Sequence, residues 1–186
     1  MTKVWRGMAK PVLVAAIVLL GGPLAARALS YDEVSDGDIP SNDETAPTPL
    51  GSLDSGDNVI RGTATAVSDW GDVFSIDLPP GLVITSIVVQ ISGHTGGFNA
   101  ATKIFDTPVY ASLDSQLFAA DGSHSFAVVP LAPASYGFTA AFNGGSAGAS
   151  YDWQWTITAP EPSATALQLA AGAALVAATR ANRRSR

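Results

Sequence analysis

Tyr151-Asp152-Trp153-Gln154-Trp155-Thr156-Ile157-Thr158 alternates without a break. Tyr151, Trp153, Trp155 and Ile157 fall on one side of an extended chain, and Asp152, Gln154, Thr156 and Thr158 fall on the other. Successive side chains of a strand point to opposite faces, so this pattern predicts a β-strand with one buried face. The same period recurs upstream in Phe74, Ile76 and Leu78, within Val83–Ile91 in Ile87, Val89 and Ile91, in Phe126 and Val128, and in Phe138, Ala140 and Phe142. Asn58–Ala66 reads as the first strand, and Pro79-Pro80-Gly81 as a turn. No stretch of 58–159 has a helical period. The expectation is an all-β domain, an antiparallel jelly-roll-like β-sandwich of seven or eight strands.

Charge is distributed unevenly along the 186 residues. Lys3, Arg6, Lys10 and Arg27 precede residue 31, and Arg180, Arg183, Arg184 and Arg186 close the chain. Residues 31–159 hold only Arg61 and Lys103 against fifteen Asp and Glu, a formal charge of −13. Such a surface repels phosphate backbones, which argues against a nucleic-acid partner, and it favours solubility. There is no cysteine, so disulfides, thiolate metal sites and cysteine nucleophiles are excluded. The core itself must supply the stability.

The two ends read as addresses. Lys3, Arg6 and Lys10 precede the ten apolar residues Pro11–Leu20, followed by Gly21-Gly22-Pro23 and by Ala26-Arg27-Ala28. A positive segment, a short apolar core and small residues at two alternate positions describe a secretory signal, with cleavage by signal peptidase expected after Ala28. The alternative is an uncleaved anchor, although ten residues are short for a span. At the other end, Pro160-Glu161-Pro162 precedes the uncharged, Ala- and Leu-rich residues 164–179 and then the arginines. Proline stops a strand, the stretch at 164–179 suits a helix that inserts transiently in a membrane, and the arginines favour the cytoplasmic side.

This order of tripeptide, short hydrophobic helix and arginine-rich end resembles the PEP-CTERM sorting signal over the last 27 residues. The resemblance implies an exported substrate of an exosortase-type transpeptidase in a Gram-negative bacterium that makes exopolysaccharide. It implies cleavage at or near Pro160-Glu161-Pro162, then release or attachment at the cell surface or in the extracellular matrix. Arg180 stands apart from Arg183-Arg184, where the family often has a denser cluster. The alternatives are a plain tail anchor or a buried Ala-rich helix.

Between the signal and the sandwich, residues 29–57 are rich in acid, Pro, Gly, Ser and Asn, and Tyr31–Asp57 alone holds eight acidic residues. This composition predicts a disordered acidic lead-in. Asp36-Gly37-Asp38 begins like a calcium loop, but Pro40 interrupts it and no glutamate closes a twelve-residue frame, so an EF-hand is excluded. A looser calcium site built from loop aspartates stays open; no other cofactor is expected.

Residues 50–82 also resemble the bacterial pre-peptidase C-terminal (PPC) domain. The resemblance runs through Leu50-Gly51-Ser52-Leu53, Gly56-Asp57-Asn58, Gly62, Asp69, Asp72-Val73-Phe74 and Leu78-Pro79-Pro80-Gly81. It covers about a third of the domain and implies a jelly-roll-like sandwich serving as a non-catalytic accessory or surface module.

Catalytic constellations are weak. Gly144-Gly145-Ser146-Ala147-Gly148 fits G-x-S-x-G, but no histidine follows Ser146, and the run suits a hairpin loop. His94 and His124 sit beside Gly-rich turns without the three or four ligands that zinc requires. Asp69, Asp72 and Asp77 are close in sequence, but Asp77 is expected to face away from the core and the other two lie at a turn, with no apolar pocket to raise a carboxyl pKa. Tyr151, Trp153 and Trp155 are expected in the core rather than as a sugar-stacking platform, whereas Trp70, in Ser68-Asp69-Trp70-Gly71, is the candidate for an exposed ligand contact. Three readings remain: a non-catalytic structural or binding module meeting exopolysaccharide or surface proteins, a small extracellular hydrolase using loop carboxylates, and a calcium-stabilised accessory domain.

Overall fold

A computed structural model of the chain describes residues 28–161 apart from 67, 145 and 146. The signal segment before Ala28, Pro162, the stretch at 164–179, the arginine tail and Ser146 lie outside the described residues.

Eight strands form the sandwich: β3 (Gly56–Thr65), β4 (Gly71–Asp77), β5 (Ser86–Thr95), β6 (Asn99–Asp106), β7 (Ala111–Phe118), β8 (Gly122–Ser125), β9 (Ser135–Asn143) and β10 (Ser150–Ala159). They fall into two sheets, in the orders β3-β10-β5-β8 and β4-β9-β6-β7, and every connection but the β6–β7 hairpin passes from one sheet to the other. That order, with every pairing among the eight antiparallel, is the jelly roll of two packed sheets. Apart from one four-residue helical turn, the regular structure of the described residues is all β, as the period-two segments require.

The core sits between the sheets. Phe74, Ile76, Ile87, Val89, Ile91, Phe138, Tyr151, Trp153, Trp155 and Ile157 are all buried. Phe74 stacks between Phe138 at 5.3 Å and Trp153 at 5.9 Å, and Trp155 packs edge-on against Phe138 at 5.1 Å. Burying an aromatic side chain removes roughly 150–250 Å² from water, so this stack dominates the stability of the sandwich. The aromatic row of β10 is therefore core, and a sugar platform built on it is excluded.

Two boundaries differ from expectation. β5 begins at Ser86, because Ile84 makes a separate bridge to Leu131. The strand expected at Phe126–Val128 ends earlier, as β8 at Gly122–Ser125; Phe126 is still buried and stacks on Trp155 at 5.4 Å.

The larger correction concerns residues 29–57. Instead of a disordered lead-in, the segment is a strap that adds an edge strand to each sheet. β1 (Ser30–Asp32) leads into a one-turn helix, α1 (Glu33–Asp36), and β2 (Thr48–Ser52) follows. β1 pairs parallel with β3, and β2 pairs parallel with β4. The strap thus covers one edge of both sheets, and the described chain has ten strands. Most of its few apolar residues dock, Val34 excepted: Ile39 and Leu53 are buried in the common core, with Leu29, Tyr31 and Leu50 packed against it. Asn58 fixes both ends. Its Oδ1 accepts the Leu29 and Asp54 N–H groups at 2.8 and 3.2 Å, while its Nδ2 donates to the Asp54 and Ile157 carbonyls at 2.9 and 3.2 Å. Farther along, the Val73 N–H donates to the Ser41 carbonyl, and Glu44 meets Lys103 and Thr139. Average composition concealed a segment in which two apolar anchors and one buried asparagine decide the outcome.

Candidate functional site

The strap brings together acids that are remote in sequence. Glu33 of α1, Asp38 just after it and Asp72 of β4 each place a carboxylate oxygen within 4.8 Å of the others. Glu33 is held from both sides, accepting the Thr63 N–H on Oε2 at 2.9 Å and the Ile39 N–H on Oε1 at 3.1 Å. Gly62 makes room for it, since a Cβ there would run into the Glu33 carboxylate and the Trp153 ring. Asp72 is fully buried. Its Oδ2 accepts the Trp153 Nε1–H at 2.8 Å, and its Oδ1 has no protein partner. Nearby, the Tyr151 hydroxyl is also buried without one.

This is the apolar pocket that the sequence reading denied. Burial first, and then the charges of Glu33 and Asp69, push the Asp72 carboxyl up to about 9. Burial also raises Glu33, against the lowering effect of its two backbone donors, and raises Asp69, with the charge of Asp38 adding to it. The Tyr151 hydroxyl is raised by burial and by the Asp72 and Asp69 charges. Among the described residues the one ion pair is Lys103–Glu44, so no lysine or arginine pairs with these acids.

Two states relieve such a cluster. In one, Asp72 keeps a proton that its unpartnered Oδ1 can share with Glu33. In the other, a bound cation replaces the proton. The donor set of three carboxylates, with neither thiolate nor imidazole, suits a hard divalent ion such as Ca²⁺, and the unpartnered Asp72 Oδ1 is among the oxygens that could coordinate it. Of the calcium-like Asp36-Gly37-Asp38 run, Asp38 joins the group, while Asp36 accepts the Asp32 N–H. As a catalytic pair the acids are badly placed, because no substrate reaches the fully buried Asp72, and Asp77 is exposed at the end of β4.

The remaining candidates are dispersed. Trp70 is 46% exposed and packs edge-on against Phe142 at 6.1 Å, at the pole of the sandwich where β3 ends and β4 begins. His94 stacks on Phe98 at 4.2 Å and His124 packs edge-on against Phe126 at 4.8 Å, and neither joins a metal-capable group among the described residues. Pro160 and Glu161 are exposed directly after β10. Ala28 lies at the same corner, since it is the nearest contact of a Cβ at Gly56, at 3.9 Å, and Gly56 pairs with Ala159. The signal missed in sequence is the pairing of a glutamate in the strap with an aspartate beginning a buried strand. Glu33 and Asp72 are 39 positions apart; the parallel β1–β3 register sets Glu33 against β3, and the packing of the two sheets brings Asp72 of β4 to it.

No protein-family model matches the chain. No curated protein is similar to it in sequence. Among solved structures, the pre-peptidase C-terminal domain of a collagenase from Bacillus anthracis is similar over 64% of this chain and 99% of its own, at 11% identity and a TM-score of 0.38. PliG, a periplasmic inhibitor of g-type lysozyme from Aeromonas hydrophila, is similar over 61% and 99%, at 12% identity and a TM-score of 0.34. The insecticidal delta-endotoxin Cry8Ea1 from Bacillus thuringiensis is similar over 58% of this chain and 25% of its own, at 8% identity and a TM-score of 0.36. Among the described residues no helix is long and apolar enough to cross a membrane.

Proposed function

We propose that the chain is an exported, non-catalytic module of the cell envelope or extracellular matrix, sorted by an exosortase and associated with exopolysaccharide. The observation that carries the reading is the junction at Ala159-Pro160. The last core strand ends there, and Pro160-Glu161 follows it exposed, so scission at the tripeptide would remove the tail without cutting into the fold. Signal peptidase would act after Ala28, one residue before the chain is pinned by Asn58. The test is the intact mass of the protein recovered from its native envelope and medium. A chain running from Leu29 to the Pro160–Pro162 region supports sorting, and one that still ends at Arg186 refutes it.

A second reading adds to the first. The Glu33, Asp38 and Asp72 group, with the orphaned Asp72 Oδ1, supports a calcium-stabilised accessory domain in which the ion joins the strap to β4. A melting temperature that does not change between EDTA and millimolar calcium would remove it.

A further inference from the structure

The outer face of the sheet β1-β3-β10-β5-β8 carries a row of polar side chains that crosses all five strands in register. Asp32 pairs with Arg61, Arg61 with Gln154, Gln154 with Gln90, and Gln90 with Ser123. At about 4.8 Å per strand the row is about 19 Å long. It runs along two shallow, contiguous grooves of about 550 and 530 Å³ that share Gln90, Ser92 and Gln154. Part of it is already ordered, as Arg61 Nε donates to Gln154 Oε1 at 2.8 Å and Gln154 Nε2 donates to Thr156 Oγ1 at 3.2 Å. Side chains fixed before binding lose less freedom on contact. Beside the row, Val59 and Val88 flank Thr156 and offer half-buried apolar ground.

We propose that this row binds an extended neutral polysaccharide lying across the strands. The inference rests on the reading of the chain as an exopolysaccharide-associated module and supplies its site. Amides and hydroxyls repeated at one interstrand step match a polymer that presents hydroxyl groups along its length. The charges on this face, Asp32, Asp121 and Asp152 against Arg61, are net acidic and disfavour uronate- or phosphate-bearing chains. A protein partner normally needs a dry apolar or aromatic centre, which the row lacks, since β10 turns its aromatics inward.

The test is native affinity electrophoresis of the full-length chain, in whatever processed form it is recovered, through gels containing hydroxyethylcellulose, galactomannan, dextran or alginate. Retardation by at least one neutral polymer and not by alginate is expected. Gln90→Ala with Gln154→Ala should weaken it about tenfold, from two lost hydrogen bonds, while Leu117→Ala, exposed on β7 of the opposite sheet, leaves it unchanged. The single variant Gln90→Ala, at an exposed position, should weaken it in the same direction and guards against misfolding of the double variant. The site is overturned if no neutral polymer retards the chain, if alginate alone does, or if the Gln variants migrate like the parent. Intact mass reports processing separately, so a failure of sorting is distinguishable from a failure of this site.

Discussion

Replacing Asp72 by Asn changes one atom in the most buried part of the acidic cluster, and the consequences differ in sign with and without calcium. In metal-free protein the folded state holds the Asp72 proton up to about pH 9, whereas the ordinary carboxyl value is 3.8. Between those values folding takes up a proton, so stability is greatest at low pH and falls as pH rises through the window. The slope is at most about 1.4 kcal/mol per pH unit. From pH 5 to 7 that is up to about 3 kcal/mol, or about 10 °C in melting temperature for a domain of this size. The amide of the Asp72→Asn variant does not titrate, so in EDTA the variant should lose most of this slope and melt at or above the parent at pH 8. If calcium binds as proposed, at a hundred times its Kd it would stabilise the parent by about 2.7 kcal/mol, again about 10 °C, and should leave the variant nearly unmoved. The assay is thermal unfolding followed by tryptophan fluorescence at pH 5, 6, 7 and 8, in EDTA and in millimolar calcium. Crossed stabilities are expected: the variant is the more stable without metal and the less stable with it. An equal calcium shift in both proteins, or a parent melting temperature flat with pH in EDTA, would refute the reasoning.

Other expectations follow from the strap and its contacts. Ile39→Ala should destabilise the domain by about 2–4 kcal/mol, read from urea unfolding; an unchanged midpoint would mean that the strap is not docked. Trp153→Phe removes the donor to Asp72 Oδ2 and should lower stability by about 1–3 kcal/mol, by nearly the same amount at pH 5 and pH 8, since the folded state holds the Asp72 proton at both. Gly62→Ala pushes a methyl group into the Glu33 carboxylate and the Trp153 ring, and should speed proteolysis within 30–52 before the sandwich itself is cut.

The sandwich was legible because burial enforces alternation: Tyr151, Trp153, Trp155 and Ile157 cannot share a face unless β10 is extended, and each of them is buried. The strap was not legible, because composition averages over 27 residues what Ile39, Leu53 and Asn58 decide individually. Asp72 was misread for a related reason. It stands beside a turn in sequence, but β4 is covered by the strap, and the Val73 N–H already donates to the Ser41 carbonyl there. Whether a carboxylate is solvated depends on what packs over it, and in this case the cover comes from a different part of the chain.

Ala28 and Pro160 leave the sandwich at one corner, beside Gly56, while Trp70 and the turn from β3 to β4 stand at the other end of a ten-residue strand. At about 3.3 Å per residue the two poles are about 30 Å apart. For as long as either terminus is held in a bilayer, the domain is moored from a single point, like a buoy on a double line. Its far pole is directed into the surrounding medium, and the broad polar sheet stands side-on to any polymer drifting past. Scission of both lines would leave its stubs at the Gly56 corner, so the freed module would keep the polar sheet it displayed while tethered.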